Sequence, residues 1–183
     1  IKDKLFFGLS GVYSDRDGYT DNDFLGKDVD DRESLSGRVH LRWLPSDPHD
    51  ITLSANVEKQ DDGAYPLGAL DQVQKNPHHV SYDFEGKHES DLYGSSLRIG
   101  YEAPQFKLTS ITGWQSWDNK DSADQDFTPA DFFTSFADED HTQLTQEIRL
   151  ASPENAGALK WLTGAYCFNE DFDRDLIIDF GVD

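Results

Sequence analysis

Between Glu33 and Lys59 the chain reads ESLSGRVHLRW, then LPSDPHD, then ITLSANVEK. In the first part Leu35, Gly37, Val39, Leu41 and Trp43 alternate with Ser34, Ser36, Arg38, His40 and Arg42, the period of a strand with two unlike faces. After a turn carrying Pro45 and Pro48 the alternation resumes, with Ile51, Leu53, Ala55 and Val57 against Thr52, Ser54, Asn56 and Glu58. This predicts a hairpin of about ten residues per strand, long for a soluble hairpin and suited to crossing a bilayer at a tilt.

Similar alternation recurs. Strands are expected at Lys4 to Tyr13, Leu92 to Glu102, Phe106 to Trp117, Thr142 to Ala151 and Leu159 to Phe168. Phe6 and Val12 interrupt the polar side of the first, and Ile111 and Trp117 fall opposite Phe106, Leu108, Thr112 and Trp114, so the orientation of that strand stays open. Long polar connections are expected at Ser14 to Arg32, Gln60 to Ser90 and Asp118 to Asp140, with a fourth acidic loop from Asn169 onward. Short turns separate the other strands. Long and short connections thus take turns, which places every long loop at one end of an up-and-down sheet and every tight turn at the other. Transmembrane barrels have this asymmetry, and a soluble sandwich has no reason to keep it. The expected fold is an all-β, antiparallel transmembrane barrel fragment of about seven strands.

Aromatic residues gather near the strand ends: Trp43, Tyr101, Phe106 and Trp161 beside the short turns, and Tyr13, Trp114, Trp117, Tyr166 and Phe168 beside the long loops. Two interfacial girdles would have that distribution. No apolar run approaches the roughly 18 residues of a membrane helix, so entry into a membrane would have to be by strands.

Composition narrows the partners. Sixteen basic against 36 acidic residues give a net charge of −20, which would repel a nucleic-acid backbone. An aromatic content of 13% argues against disorder. The chain starts at Ile1, has no Met, and ends in LIIDFGVD as if another element were beginning, so it is expected to be an internal piece of a longer protein. Cys167 is the lone cysteine, expected as a small wall residue because no cation flanks it.

The stretch LFFGLSGVYSDRDGYTDNDFLGKDVDDRESLSGRVHLRWLPSD resembles the early barrel of TonB-dependent outer-membrane receptors of the ferric-siderophore-receptor kind. FKLTSITGWQSWD and TQEIRLASPENAGALKWLTGAY resemble strand-and-turn patterns of that family's middle barrel. The resemblance covers most of the chain and implies a bacterial outer-membrane barrel of roughly 22 strands around an N-terminal plug. The plug and the TonB-contacting box lie outside these residues. It implies active import of a scarce large nutrient, commonly a ferric siderophore, with TonB, the protein's own plug, the ligand and outer-membrane lipid as partners. It implies no catalysis and no cofactor.

No catalytic, cofactor-binding, metal or ligand-binding residue is assigned from the sequence. Arg38, His40, Arg42, Glu58, Arg98, Glu147 and Arg149 are expected to face the lumen, in contact with the plug or paired across strands. Eight acidic residues between Asp15 and Glu33, and eight between Asp118 and Asp140, invite a calcium reading. An EF-hand aligned on Gly26 fails, because Leu25 and Arg32 stand where oxygen ligands are required. Looser cation binding and plain solvated loops both remain open. His78 and His79 should point apart on an extended segment, which suits one metal poorly. No G-x-S-x-G elbow or Gly-rich phosphate loop occurs. A passive porin, a soluble glycan-binding module and an outer-membrane enzyme are the rival classes.

Overall fold

A computed structural model describes residues 3–182. Seven long strands form one antiparallel sheet: β1 (Leu5–Arg16), β4 (Arg32–Trp43), β5 (His49–Gly63), β7 (Lys87–Glu102), β8 (Lys107–Asp124), β9 (Phe133–Ala151) and β10 (Leu162–Phe180). Each pairs only with its neighbour in that order, so the meander is up-and-down, the topology of a barrel segment. Three short strands, β2 (Thr20–Asn22), β3 (Lys27–Val29) and β6 (His79–Val80), make a second sheet at the loop end, accompanied by the short helix α1 (Leu70–Lys75). No helix among the described residues is long and apolar enough to cross a membrane.

The pairing registers sort the faces. Directly paired residues in an antiparallel sheet project to the same side, so each lateral row of partners belongs to one face. Phe7, Leu41, Leu53, Leu97, Thr112, Gln146 and Cys167 form one such row. The neighbouring residues form the opposite face: His40, Ser54, Ser96, Gly113 and Thr145 are successive partners there. On the apolar face Leu9 is 70% exposed, Leu53 45% and Ile148 47%. Leu35 and Val39 are exposed too, and Leu41, Ile51 and Val57 are half-buried. Among the described residues no second protein layer seals these side chains, the exposure that lipid-facing positions would have.

The apolar band is slanted across the strands. Its upper edge on β1 and β4 is the pair Tyr13 and Leu35, on β5 and β7 the pair Val57 and Tyr93, and on β8 and β9 the pair Trp114 and Leu144. Each edge lies one row, two residues, below the previous one, because Leu35 pairs with Lys59, and Tyr93 pairs with Ser116. The lower edge drops with it, from Trp43 to Tyr101 to Phe106, since Trp43 shares its row with Ile51 and Ile99, and Tyr101 pairs with Leu108. Two residues of rise, about 6.8 Å, over two strand spacings, about 9.6 Å, give a tilt of about 35°, within the range of transmembrane barrel strands. Along β1 the band from Leu5 to Tyr13 is then about 22 Å tall, close to the apolar belt such barrels carry.

Several expected loops are strand. β8 continues to Asp124 and β9 begins at Phe133, so most of the stretch from Asp118 to Asp140 is paired and only eight residues connect them. β10 likewise runs to Phe180, where a fourth acidic loop was expected. At 19 residues, β9 and β10 are about twice the 9–11 residues that suffice to span a bilayer. Above the band charge takes the place of apolar side chains on that face, as at Lys59, Asp91, Asp118, Asp140 and Asp173.

The connections at 17–31 and 64–86 are also structured. Val29, Val80 and Tyr82 are the buried apolar cluster that joins them. Asn22 holds both: its Oδ1 accepts from Phe24 N at 3.0 Å and Leu25 N at 3.2 Å, while its Nδ2 donates to Tyr82 O at 3.0 Å. Asp30, in the left-handed region at φ 65°, accepts from Tyr19 N and Thr20 N at 3.1 and 2.9 Å. Together these elements form a small dome at the loop end.

Candidate functional site

On the polar face the seven polar residues expected there do share one side. Arg38, His40 and Arg42 pair with Asn56, Ser54 and Thr52, and Arg98 and Glu147 continue the row of Arg42 through Ile111. The structure brings out cross-strand pairing: Arg42 donates twice to Asp50, both at 3.0 Å, and Arg98 reaches the same carboxylate at 3.4 Å. Arg149 Nη2 donates to Glu147 at 2.7 Å along β9, and His40 Nδ1 meets Ser54 Oγ at 2.9 Å. Asp50, the hub, was not among the expected residues, although two residues back from Thr52 the same parity leads to it.

The open orientation of β8 resolves. Leu108, Thr112 and Trp114 lie on the apolar face, and Ile111 and Trp117 on the polar one. Trp117 therefore leaves the girdle. It stacks on His141 at 5.1 Å and 16° and lies 5.9 Å from Phe172. Tyr166 and Phe168 leave it as well, because they pair with Glu147 and Thr145. At the loop end the aromatics of the apolar face are Tyr13, Tyr93 and Trp114, and Tyr93 is not among those the sequence pattern marks. The polar face instead carries an aromatic stripe: Trp117, His141 and Phe172 in one row, Tyr166 and Phe168 lower on β10. His141 is buried, and its Nε2 lies 2.8 Å from Glu170 Oε1.

Histidines in the dome serve as local ties. His78, at φ 66°, packs edge-on against Tyr19 at 5.3 Å, while His79 Nδ1 bonds Asp23 at 3.0 Å and its Nε2 lies 3.5 Å from Asp21. The two rings point to different partners, as their adjacency implied. The Asp23 hydrogen bond holds the His79 pKa above its ordinary value of 6.5. His88 Nδ1 bonds Asp121 at 2.5 Å.

Just above the apolar band on the same face, Lys59, Asp91, Asp118, Asp140 and Asp173 are successive partners on five neighbouring strands. Lys59 bonds Asp91 at 2.9 Å, and Lys59, Asp91, Asp118 and Asp140 line a cleft of about 700 Å³ with Lys120 and Asp138. Among the described residues no group of three or more His, Cys, Asp or Glu is arranged to hold a metal ion. Cys167 is exposed on the apolar face beside Gln146.

No family model matches the chain. Among solved structures, the chain is similar to the ferric yersiniabactin uptake receptor FyuA from Yersinia pestis, with a TM-score of 0.81 at 18% identity. The match covers 98% of this chain and 28% of that receptor. At that identity the likeness is one of fold: this chain is all-β, and its seven-stranded sheet matches a segment of that barrel.

Proposed function

We propose that the chain is part of an outer-membrane receptor that imports a scarce large nutrient, a ferric siderophore in the first place, with energy from TonB. The carrying observation is the slanted, uncovered apolar band bounded by aromatics, which suits a tilted barrel wall in lipid. The likeness to a siderophore receptor's barrel supports the same reading. β1 and β10 each have one unpaired edge among the described residues, and open edges are untenable in hydrocarbon. The whole protein would close the barrel with further strands and would supply the plug and TonB box. Residues 1–183 are then one portion of a single receptor barrel.

A passive porin is the second reading. Against it stands the aromatic stripe of Trp117, His141, Phe172, Tyr166 and Phe168 on the inner face, where a water-filled channel would be polar. Such a stripe suits a plug or a bulky ligand. The strand ends beyond the bilayer and the dome offer the surface a ligand would meet from outside. The reading includes no bond-making step.

Deleting the whole gene and testing growth under iron limitation on a panel of ferric siderophores tests this function. Loss of growth on one siderophore, restored by the intact gene and not by a copy lacking the TonB box, is the expected result. Unchanged growth on all of them would remove iron as the cargo, and an intact phenotype without TonB would favour the porin.

A further inference from the structure

Halfway along the polar face, between the row of Trp117 and the row of Arg42, the wall has a hollow. A cavity of about 220 Å³ opens there, with Gly94 and Gly113 in its floor and Asn56, Ser96, Gln115 and Gln143 around it. These residues fill two adjoining rows, with Ser96 paired to Gly113, and Asn56, Gly94, Gln115 and Gln143 as successive partners. The glycines keep the floor low. A Cβ at Gly94 would lie 2.7 Å from Asn56 Oδ1, and one at Gly113 would lie 2.7 Å from Thr145 Oγ1, so any side chain there would push a neighbour into the hollow.

Its chemistry differs from that of both flanks. On the β4 side stand Arg38, His40 and Arg42, with Arg42 tied to Asp50 and His40 to Ser54. On the β10 side stand the exposed rings of Tyr166 and Phe168. No charged side chain lines the hollow between them. The side chains of Asn56, Ser96, Gln115 and Gln143 make no hydrogen bond among the described residues, so three amides and a hydroxyl are free on neutral ground. Such groups exchange hydrogen bonds with a hydrated solute at little net gain. A charge would hold a polar solute, and an apolar wall would strip its water without return. Weak neutral contacts let it enter and leave.

We propose that this hollow is a transit site for the cargo, a place on the inner wall that takes the oxygen- and nitrogen-rich surface of the nutrient as it passes through the opened lumen. The site rests on the transport reading above. Cargo arriving from outside meets the dome and the loop-end strand tips first, so the hollow contributes to the rate of passage and not to capture. Bulk placed in it should slow import and leave binding alone, the pattern of a group that acts after the cargo is bound.

The test uses the whole receptor in cells and, radiolabelled, the ferric siderophore whose use depends on the gene. Ser96→Trp and Gln115→Trp fill the hollow from two strands, and Ser10→Trp, on the same face of β1 and outside the hollow, is the control of equal bulk. Binding to de-energised cells gives Kd, and energised cells give the uptake rate. Both filled variants should keep the Kd of the unmodified receptor and lose most of their uptake, while Ser10→Trp keeps both. Ser96→Leu decides if tryptophan prevents assembly in the outer membrane. Uptake that survives in the filled variants overturns the site. So does a loss of binding that matches the loss of uptake, which would place the hollow in the capture surface. A lower Tm in the filled variants and not in Ser10→Trp also overturns it, and would make the hollow a seat for the plug. Uptake by the unmodified receptor that does not need TonB would refute the transport reading itself, a failure visible without any variant.

Discussion

Thr112 Oγ1 donates to Gln146 Oε1 at 2.6 Å across β8 and β9, and Gln146 Nε2 reaches on to Ser110 Oγ at 3.0 Å, all within the apolar band. Three polar side chains on the apolar face satisfy one another. Removing one partner strands the others. Gln146→Ala should therefore destabilise the whole protein in lipid by about 1–3 kcal/mol, while the pair Thr112→Val with Gln146→Leu should be near neutral or stabilising. Reversible urea unfolding in liposomes measures both. Equal losses for the single and the double variant would show that the network contributes nothing.

The slant of the band makes a prediction about one lateral row. Val39 and Ala55 are partners, and the row continues through Ser95 and Trp114 to Leu144. In the proposed membrane placement, with strands tilted about 35°, Val39 would stand mid-bilayer and Leu144 at the interface. Val39→Arg should cost about 2–4 kcal/mol and Leu144→Arg about 0–1 kcal/mol. The same unfolding experiment compares them. Equal costs would mean a border that follows the hydrogen-bond rows and strands that do not tilt.

His79 predicts a pH response of the dome. The hydrogen bond to Asp23 favours the charged ring, so the folded-state pKa lies above 6.5. A raised histidine pKa contributes stability that is full below 6.5 and is lost as pH rises through the folded value. The tie between β2 and β6 should accordingly loosen on the alkaline side. An NMR titration of the His79 ring should give a midpoint above 6.5, and Asp23→Asn should bring it down. A midpoint at or below 6.5 in the unmodified protein would refute the contact.

How far these features were legible depends on what alternates. From Leu35 to Trp43 one face is apolar and the other charged, so period and face are both visible and the strand was found. From Asp118 to Asp124 both faces are polar, and the extension of β8 leaves no contrast to detect. Trp117 shows a second limit. Its parity differs from that of Trp114, but which parity joins the apolar face is decided by the partners, and Ser116 lies opposite Tyr93. The dome was least legible of all, because Asn22 and Tyr82 meet across 60 positions through side-chain-to-backbone bonds that leave no period. Proximity to a long loop is thus a weaker guide to a girdle aromatic than parity traced through a paired neighbour.

Four tryptophans allow the face assignment itself to be measured. Trp43 and Trp114 lie on the apolar face, and Trp161 beside the turn end is 40% exposed. Trp117 lies on the other face, stacked on His141 and flanked by Phe172. Lipids brominated near the headgroup quench indole emission only at short range, so they should reach the first group and not Trp117 through the wall. In the whole protein reconstituted into such lipids, Trp114→Phe should lower the quenched share of the emission and Trp117→Phe should raise it. If Trp117→Phe lowers it instead, that side chain faces lipid. The aromatic stripe would then lie outside the barrel, and the objection to a water-filled channel would go with it.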